Sequence, residues 1–247
     1  MYPAPAPLAD QVVVITGGSR GIGRGIVAAA ATAGAHVVVL SRSAPPDTDP
    51  GVHVQTDVTD DGSLAAAREQ VLTRFGRVDA LVAGVGGLVA PRRPVWEYGV
   101  AEFEEVLALN LTSAFRSIAA FVPVLRAHGD GRIVAIGSDA VGSGLPHLSH
   151  YLAAKAGLVG LIRGVAADLG PDGVTANLVS PGLVITETNE ASLPVAIRSA
   201  AAEKQHLGRN LVPADIAGAV VFLCSPAARM ITGQVLQVNG GATPGAT

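Results

Sequence analysis

The stretch VVVITGGSRGIGRGIVAAAATAGAHVVVL, residues 12–40, decides how the rest of the chain is read. Val12–Thr16 is a β-branched run that is apolar at every position, the pattern of a strand buried on both faces. A glycine-rich turn follows. The Ala-rich segment Gly21–Gly34 then predicts a helix, with Gly34 as its stop. His36–Leu40 is a second apolar strand. Strand, helix and strand in direct succession form a βαβ unit, so the two strands run parallel.

The alternation continues outward. Strands are predicted at Val52–Gln55, Ala80–Ala83, Arg132–Gly137, Thr175–Val179 and Val235–Val238. Helices are predicted at Gly62–Phe75, Val100–His128, Tyr151–Leu169, Pro194–Lys204 and Pro213–Leu223. Apolar strands alternating with helices require a sheet covered on both sides. The expected architecture is one α/β domain over residues 1–247, a Rossmann-like doubly wound fold with about seven mostly parallel strands. Its ligand crevice would open at the strands' C-terminal ends. One crossover departs from the pattern. Between the second and third strands, Arg42 to His53 holds Pro45, Pro46, Pro50 and Gly51, through which no helix can run. A proline-rich loop is expected to replace that helix.

Bulk properties exclude several classes. The 247 residues suit one large domain, and a net charge of −3 offers no basic footprint for nucleic acid or anionic lipid. Cys224 is the single cysteine, so no intrachain disulfide can form, and a reducing compartment is expected. The start MYPAPAPLAD lacks the basic-then-apolar order of a secretion signal, and no run of about 18 uninterrupted apolar residues predicts a membrane span. A cytoplasmic protein is expected, with no membrane or nucleic-acid partner. No His/Cys/Asp cluster points to a metal.

Two motifs carry chemistry. In Thr16-Gly17-Gly18-Ser19-Arg20-Gly21-Ile22-Gly23 the glycines bring backbone N–H groups to the start of a helix, where a phosphate is welcome. The spacing is G-x-x-x-G-x-G, which is neither the G-x-G-x-x-G fingerprint nor a P-loop. Tight helix–strand packing is the structural alternative. Tyr151 and Lys155 are i, i+4 on one helix face. A free phenol ionises near pH 10, too high for acid–base work at neutrality, and a neighbouring ammonium lowers it. The surrounding HYLAAKAGLVGLI is too apolar for a solvated face. The second strand ends in Ser41-Arg42, and Arg20 sits in the glycine loop. Two guanidinium groups can bracket a 2′-phosphate, which an acid there would repel, so NADP(H) is expected.

Together with Ser138 thirteen residues before Tyr151, Asn110 in LALNLTSAF, SPGLVIT (residues 180–186) and ITGQVLQVNGG (residues 231–241), these motifs resemble the classical short-chain dehydrogenase/reductase family along essentially the whole chain. Within it the chain is most similar to 3-oxoacyl-(acyl carrier protein) reductases. The GSDA at residues 137–140 resembles dihydrodiol dehydrogenases.

The resemblance implies a tetrad. Tyr151 exchanges the proton, Lys155 lowers its pKa and bonds the nicotinamide ribose, Ser138 holds the substrate oxygen, and Asn110 fixes a water. It further implies cofactor contacts from Gly17, Ser19, Arg20, Gly21, Ile22, Gly23, Ser41, Arg42, Asp57, Val58, Ala83, Gly84, Tyr151, Lys155, Pro181, Gly182, Val184 and Thr186. Asp57 could instead cap the next helix.

Three departures from the family pattern stand out. Ala83-Gly84-Val85-Gly86 replaces Asn-Asn-Ala-Gly, Gly137 replaces a serine, and Asn239 replaces an aspartate. The expected reaction is reduction of a ketone or acyl thioester to an alcohol. A free polyketide or polycyclic aromatic ketone is the competing substrate, and a non-catalytic NADP-binding regulator or an epimerase-type use of the same tyrosine are further alternatives. Residues 187–204 are expected to form a substrate lid, Trp96, His147, Leu148 and His150 to line the pocket, and Arg92, Arg93, Arg126 and Arg132 to receive an acidic carrier. His150 is expected at a polar rim. A homo-oligomer is expected through the two long helices, a tetramer ahead of a dimer.

Overall fold

The computed structural model describes residues 6–243; the first five residues of the MYPAPAPLAD start and the last four of the chain lie outside the described residues. Seven strands form one sheet: β1 (Val12–Thr16), β2 (His36–Ser41), β3 (Val52–Gln55), β4 (Ala80–Ala83), β5 (Arg132–Ile136), β6 (Thr175–Pro181) and β7 (Val235–Val238). Their order is β3-β2-β1-β4-β5-β6-β7, and every neighbouring pair is parallel. The order reverses between β1 and β4, which places the crevice above the C-terminal ends of those two strands.

The alternation of β1 divides the core into two layers. Val12 and Val14 face one side, packed with Val38, Leu81 and Ile133 under helices α2 (Asp61–Phe75), α4 (Ser113–His128) and α6 (Ser149–Leu169). Val13 and Ile15 face the other, with Val37, Val39 and Val82 under α1 (Gly21–Thr32) and α8 (Pro213–Cys224). Both faces are dry, so both registers of each strand must be apolar. The remaining helices are α3 (Val100–Leu107), the short α5 (Ala140–Ser143) and α7 (Val195–Lys204).

The predicted helix Val100–His128 is present but not uniform. A π turn at Ala108–Thr112 separates α3 from α4. By length and composition this run could cross a bilayer, yet Val106, Ile118, Phe121 and Leu125 bury its inner face against the protein's own core. The proline-rich crossover holds as expected: no helix occurs between Arg42 and Gly51. Gly51 turns with φ +104, where a Cβ would press on the Val37 carbonyl at 3.0 Å. Asp49 ties this loop back to α1, accepting from Arg24 Nε at 2.5 Å and Nη2 at 2.6 Å.

Candidate active site

The glycine loop is built by close backbone approach. A Cβ on Gly23 would lie 2.1 Å from the Gly17 carbonyl oxygen, so α1 can start only on a bare glycine. Gly17 (φ +74) and Gly21 (φ +56) take left-handed backbone that suits glycine. Arg20 precedes the helix in extended conformation, but its side chain caps nothing, and the first turn of α1 contains no acid. The Gly21 N–H donates instead to Glu187 Oε1 at 2.7 Å, from a residue 166 positions away. Ser19 and Ile22 lie in the same turn, which opens into the crevice.

At the end of β2, Ser41 is buried and its hydroxyl donates to the Ser43 carbonyl at 2.8 Å. Arg42 turns to solvent. Neither Arg20 nor Arg42 makes a side-chain hydrogen bond or ion pair among the described residues. Asp57 is not the helix cap: its Oδ1 accepts from the Thr59 hydroxyl (2.7 Å) and N–H (2.9 Å). Asp60 caps α2, accepting from Ser63 N–H at 2.6 Å. The Thr59 contacts, with Arg42 nearby as a smaller cause, hold the Asp57 carboxyl below the usual range. Val58 is buried beside it.

The second centre lies where β5 and α6 meet. Ser138 follows β5, and its hydroxyl lies close enough to the Tyr151 phenol to pull its pKa down. Ser138 Oγ accepts from Ala140 N–H at 3.3 Å, which fixes it at the start of α5. One turn beyond Tyr151, the buried Lys155 donates from Nζ to the Ile136 carbonyl at 2.9 Å. A Cβ on Gly86 would lie 2.9 Å from both Lys155 Nζ and Asn110 Oδ1, so the two groups converge on this glycine.

The electrostatics differ from the expectation. Burial pushes the Tyr151 phenol above its ordinary value, against a downward pull from the Ser138 hydroxyl, and Asp139 adds to the rise. Lys155 itself is drawn down to about 8 by burial. Its ammonium stands 5.8 Å from the Tyr151 ring centre and is committed to a carbonyl, so it does not depress the phenol in this arrangement.

Asn110 sits in the π turn, fully buried. Its Nδ2 donates to the carbonyls of Gly87 (2.9 Å) and Val106 (3.1 Å), and its Oδ1 accepts from Gly87 N–H (2.9 Å). Both amide hydrogens are spent on backbone. The side chain is therefore a bracket between the central helix and the loop after β4. That bracket replaces the tie lost with the family asparagines. Gly84 explains the rest of that departure: a Cβ there would meet the Thr16 carbonyl at 2.7 Å, and its N–H donates to Thr16 Oγ1 at 3.1 Å. At Gly137 a Cβ would lie 2.4 Å from Leu178 Cδ2, so any larger residue there needs the Leu178 side chain to shift. Asn239 donates to Gln237 Oε1 at 2.8 Å and to the Thr243 carbonyl at 2.9 Å, near Asp139, whose carboxyl is raised by burial and lowered in part by Asn239. An aspartate at position 239 would set two carboxylates against each other.

The segment after β6 closes the crevice from above. Pro181 ends the strand, Gly182 packs against Asn239 and Leu211, and Val184 bridges to Leu211. Thr186 stands over Gly21, at 3.7 Å from the position a Cβ would take there. It accepts no ligand-like role from its neighbours beyond a 2.9 Å contact between its hydroxyl and that of Thr188. α7 in the expected lid buries none of its residues.

At the N-terminal end of α6, a shallow apolar cavity of about 300 Å³ is lined by Val95, Trp96, Leu145, Pro146, His147 and Leu152 among others. Trp96 is 81% exposed at its mouth. Leu148 and His150, expected in this lining, are instead buried beneath it at 2% and 0% exposure. His150 is therefore no polar rim. Its ring stacks on Tyr98 at 4.2 Å, and Nδ1 accepts the Tyr151 N–H at 2.9 Å. Tyr98, which sequence reading passed over, ties the two cavity walls: its hydroxyl is shared between the carbonyls of Pro91 and His147, both at 3.0 Å. Of the four arginines expected to receive a carrier, Arg93 pairs with Glu102, Arg126 with Asp172 (2.6 Å) and the buried Arg132 with Asp130 (2.6 Å).

The residues fit a dinucleotide: backbone amides at a helix start, a tight glycine cradle at Gly17 and Gly23, and, in Arg20 and Arg42, two guanidinium groups without an ion pair among the described residues. Comparison with known proteins gives the family. A family model described as enoyl-(acyl carrier protein) reductase matches residues 17–243. The cis-4-hydroxycyclohexanecarboxylate dehydrogenase of Sinomonas cyclohexanicum is 34% identical, with 95% of this chain and 97% of that protein aligned. The 3-oxoacyl-(acyl-carrier-protein) reductase of Vibrio cholerae is 35% identical over 95% and 98% of the two chains. The crystal structure of gox2181 superposes with a TM-score of 0.89 at 30% identity, covering 98% of this chain and 99% of that one. The chain belongs to the short-chain dehydrogenase/reductase family, oxidoreductases that use a nicotinamide cofactor.

Proposed function

We propose that this protein is an NADP(H)-dependent oxidoreductase that interconverts an uncharged, apolar ketone and its secondary alcohol. The observation that carries the reading is the convergence of Ser138, Tyr151, Lys155 and Asn110 at the end of β5, beside the anion-accepting start of α1. The bound cofactor would supply or accept the hydride at the carbonyl carbon. Gly17, Ser19, Gly21, Ile22 and Gly23 would cradle its phosphates. Ser41, Arg42, Arg20, Asp57 and Val58 would hold the adenosine end. Ala83, Gly84, Pro181, Gly182, Val184 and Thr186 would border the nicotinamide. Arg20 and Arg42, both unpaired, favour the 2′-phosphate of NADP(H).

Tyr151 gives its proton to the carbonyl oxygen during reduction, and Ser138 donates to the same oxygen as negative charge develops. Lys155 resupplies charge and positions the ribose. Its pKa of about 8 lets it lose or gain a proton near neutrality. Asn110 is a positioning residue that holds the Gly86–Gly87 backbone against Lys155.

Between a carrier-bound acyl thioester and a free ring ketone, two observations favour the latter. Three of the four candidate carrier-docking arginines are committed to acids of the chain itself. The cavity at the N-terminal end of α6 is apolar and open. We further infer residues 187–204 as a substrate lid on one catalytic domain, a cytoplasmic location suited to its reduced Cys224, and a homotetramer assembled through α4 and α6.

The test is NADPH and NADH oxidation, side by side, across decalones, polycyclic quinones and acetoacetyl thioesters. Ring ketones with NADPH should turn over best, and Arg42→Asp should reverse the cofactor preference. Tyr151→Phe should lose about a thousandfold in kcat and keep NADPH affinity. Equal use of both cofactors by the wild type overturns the NADP(H) assignment. Tyr151→Phe at full activity would overturn the catalytic one.

A further inference from the structure

The first acid of the lid stands where a cofactor phosphate would have to go. Gly21 N–H is the first amide of α1, and no side chain of its own turn caps it. Glu187 Oε1 accepts that hydrogen at 2.7 Å. Its carboxylate also bears on Arg24, one turn along the same helix. Glu187 follows Thr186, which closes over Gly21, and precedes the exposed residues 188–204. Its side chain is solvent-exposed, so nothing in the packing forces it onto the amide. What holds it there is the positive end of an otherwise uncapped helix.

We propose that Glu187 is a latch: in the free protein its carboxylate occupies the phosphate-accepting start of α1, and a dinucleotide must displace it to bind. The inference rests on the cofactor reading above. Two anions cannot share one amide, so affinity for the dinucleotide is lowered by whatever the latch contributes. Release of Glu187 also frees the root of the lid, which couples filling of the cofactor cradle to movement of residues 188–204. Glu187 thus sets cofactor affinity and the order of binding without touching the substrate.

The experiment measures NADPH and NADH dissociation constants by fluorescence titration, and thermal midpoints without cofactor, for wild type, Glu187→Gln and Glu190→Gln. Glu190 is a second lid acid with no contact to α1. Glu187→Gln should bind NADPH about three- to tenfold more tightly, the range of a charge at a helix terminus. Without cofactor it should melt about 1–3 °C lower, because a helix cap has been weakened. Glu190→Gln should leave both values unchanged. Unaltered or weaker NADPH binding by Glu187→Gln overturns the latch while leaving the cofactor reading intact. An equal gain in Glu190→Gln also overturns it, in favour of general charge reduction. If neither wild type nor Glu187→Gln binds either nucleotide, the cofactor reading falls, and the latch with it.

Discussion

The two ends of the crevice are built by opposite means. At the glycine loop, shape is set by backbone against backbone. Gly23 sits on the Gly17 carbonyl and Gly84 on the Thr16 carbonyl, and side chains are excluded. At the substrate mouth, shape is set by side chains with few neighbours: Trp96, Val95 and Leu145 stand 81%, 62% and 40% exposed. The first end permits almost no substitution. The second permits many, and its walls are held by a single phenol, Tyr98. Under the proposed function, cofactor recognition would be written into the main chain, whereas substrate recognition would be left to replaceable surface.

The largest test of this contrast is a pair of glycine-to-alanine changes. Gly23→Ala should cost about 3 kcal/mol or more in chemical denaturation and abolish cofactor binding, since its Cβ cannot avoid the Gly17 oxygen. Gly218→Ala, mid-helix in α8 with nothing within 4 Å of the new Cβ, should instead gain about 0.5–1 kcal/mol. Equal effects at the two sites would erase the distinction.

A smaller effect probes the buried lysine between the two ends. Lys155 titrates at about 8 in the folded chain against 10.5 ordinarily. Below pH 8 both folded and unfolded states hold the proton, and the native state bears the whole cost of the buried charge. From pH 8 to 10.5 the unfolded state binds more protons, so stability contributed at this residue rises with pH. Cys224, pushed up to about 12 by burial, works in the opposite direction above pH 9. Comparison with Lys155→Met, which retains Cys224, isolates the lysine. The variant should be more stable by about 1–2 kcal/mol at pH 7, with the advantage shrinking by pH 10. A constant difference across that range would contradict the assignment.

The smallest effect belongs to the mouth. Trp96→Ala should raise KM for a ring ketone about five- to tenfold, with kcat and the unfolding midpoint nearly unchanged. A collapse in stability would mean that the mouth is as rigidly built as the loop.

The same contrast explains what could be read in advance. The strands were legible because both faces of the sheet are dry, which leaves uninterrupted runs such as Val12–Thr16. Tyr151 and Lys155 could be singled out as candidates because a phenol and an ammonium one turn apart on an apolar helix have few other uses. Glu187 was not legible, since an exposed acid in a polar segment carries no mark of a partner 166 residues away. Nor was the burial of His150, because its stacking on Tyr98 depends on how two loops meet. The contact of Lys155 could not be read for a related reason: spacing puts it on the face of Tyr151, but only the fold reveals that its ammonium donates to the Ile136 carbonyl.

The π turn at Ala108–Thr112 has a consequence for how this protein can change. A π turn is a helix with one residue too many, and each residue advances a helix by about 100°. The surplus therefore acts as a phase shifter. It aims Asn110 at Gly87 while letting Ile118, Phe121 and Leu125 stay aligned with the sheet. Removing any one residue between 108 and 112 would straighten the helix and rotate everything on one side of the cut by that angle. Either the bracket or the core stripe would then point the wrong way, so the segment can tolerate exchange of residues far better than loss of one.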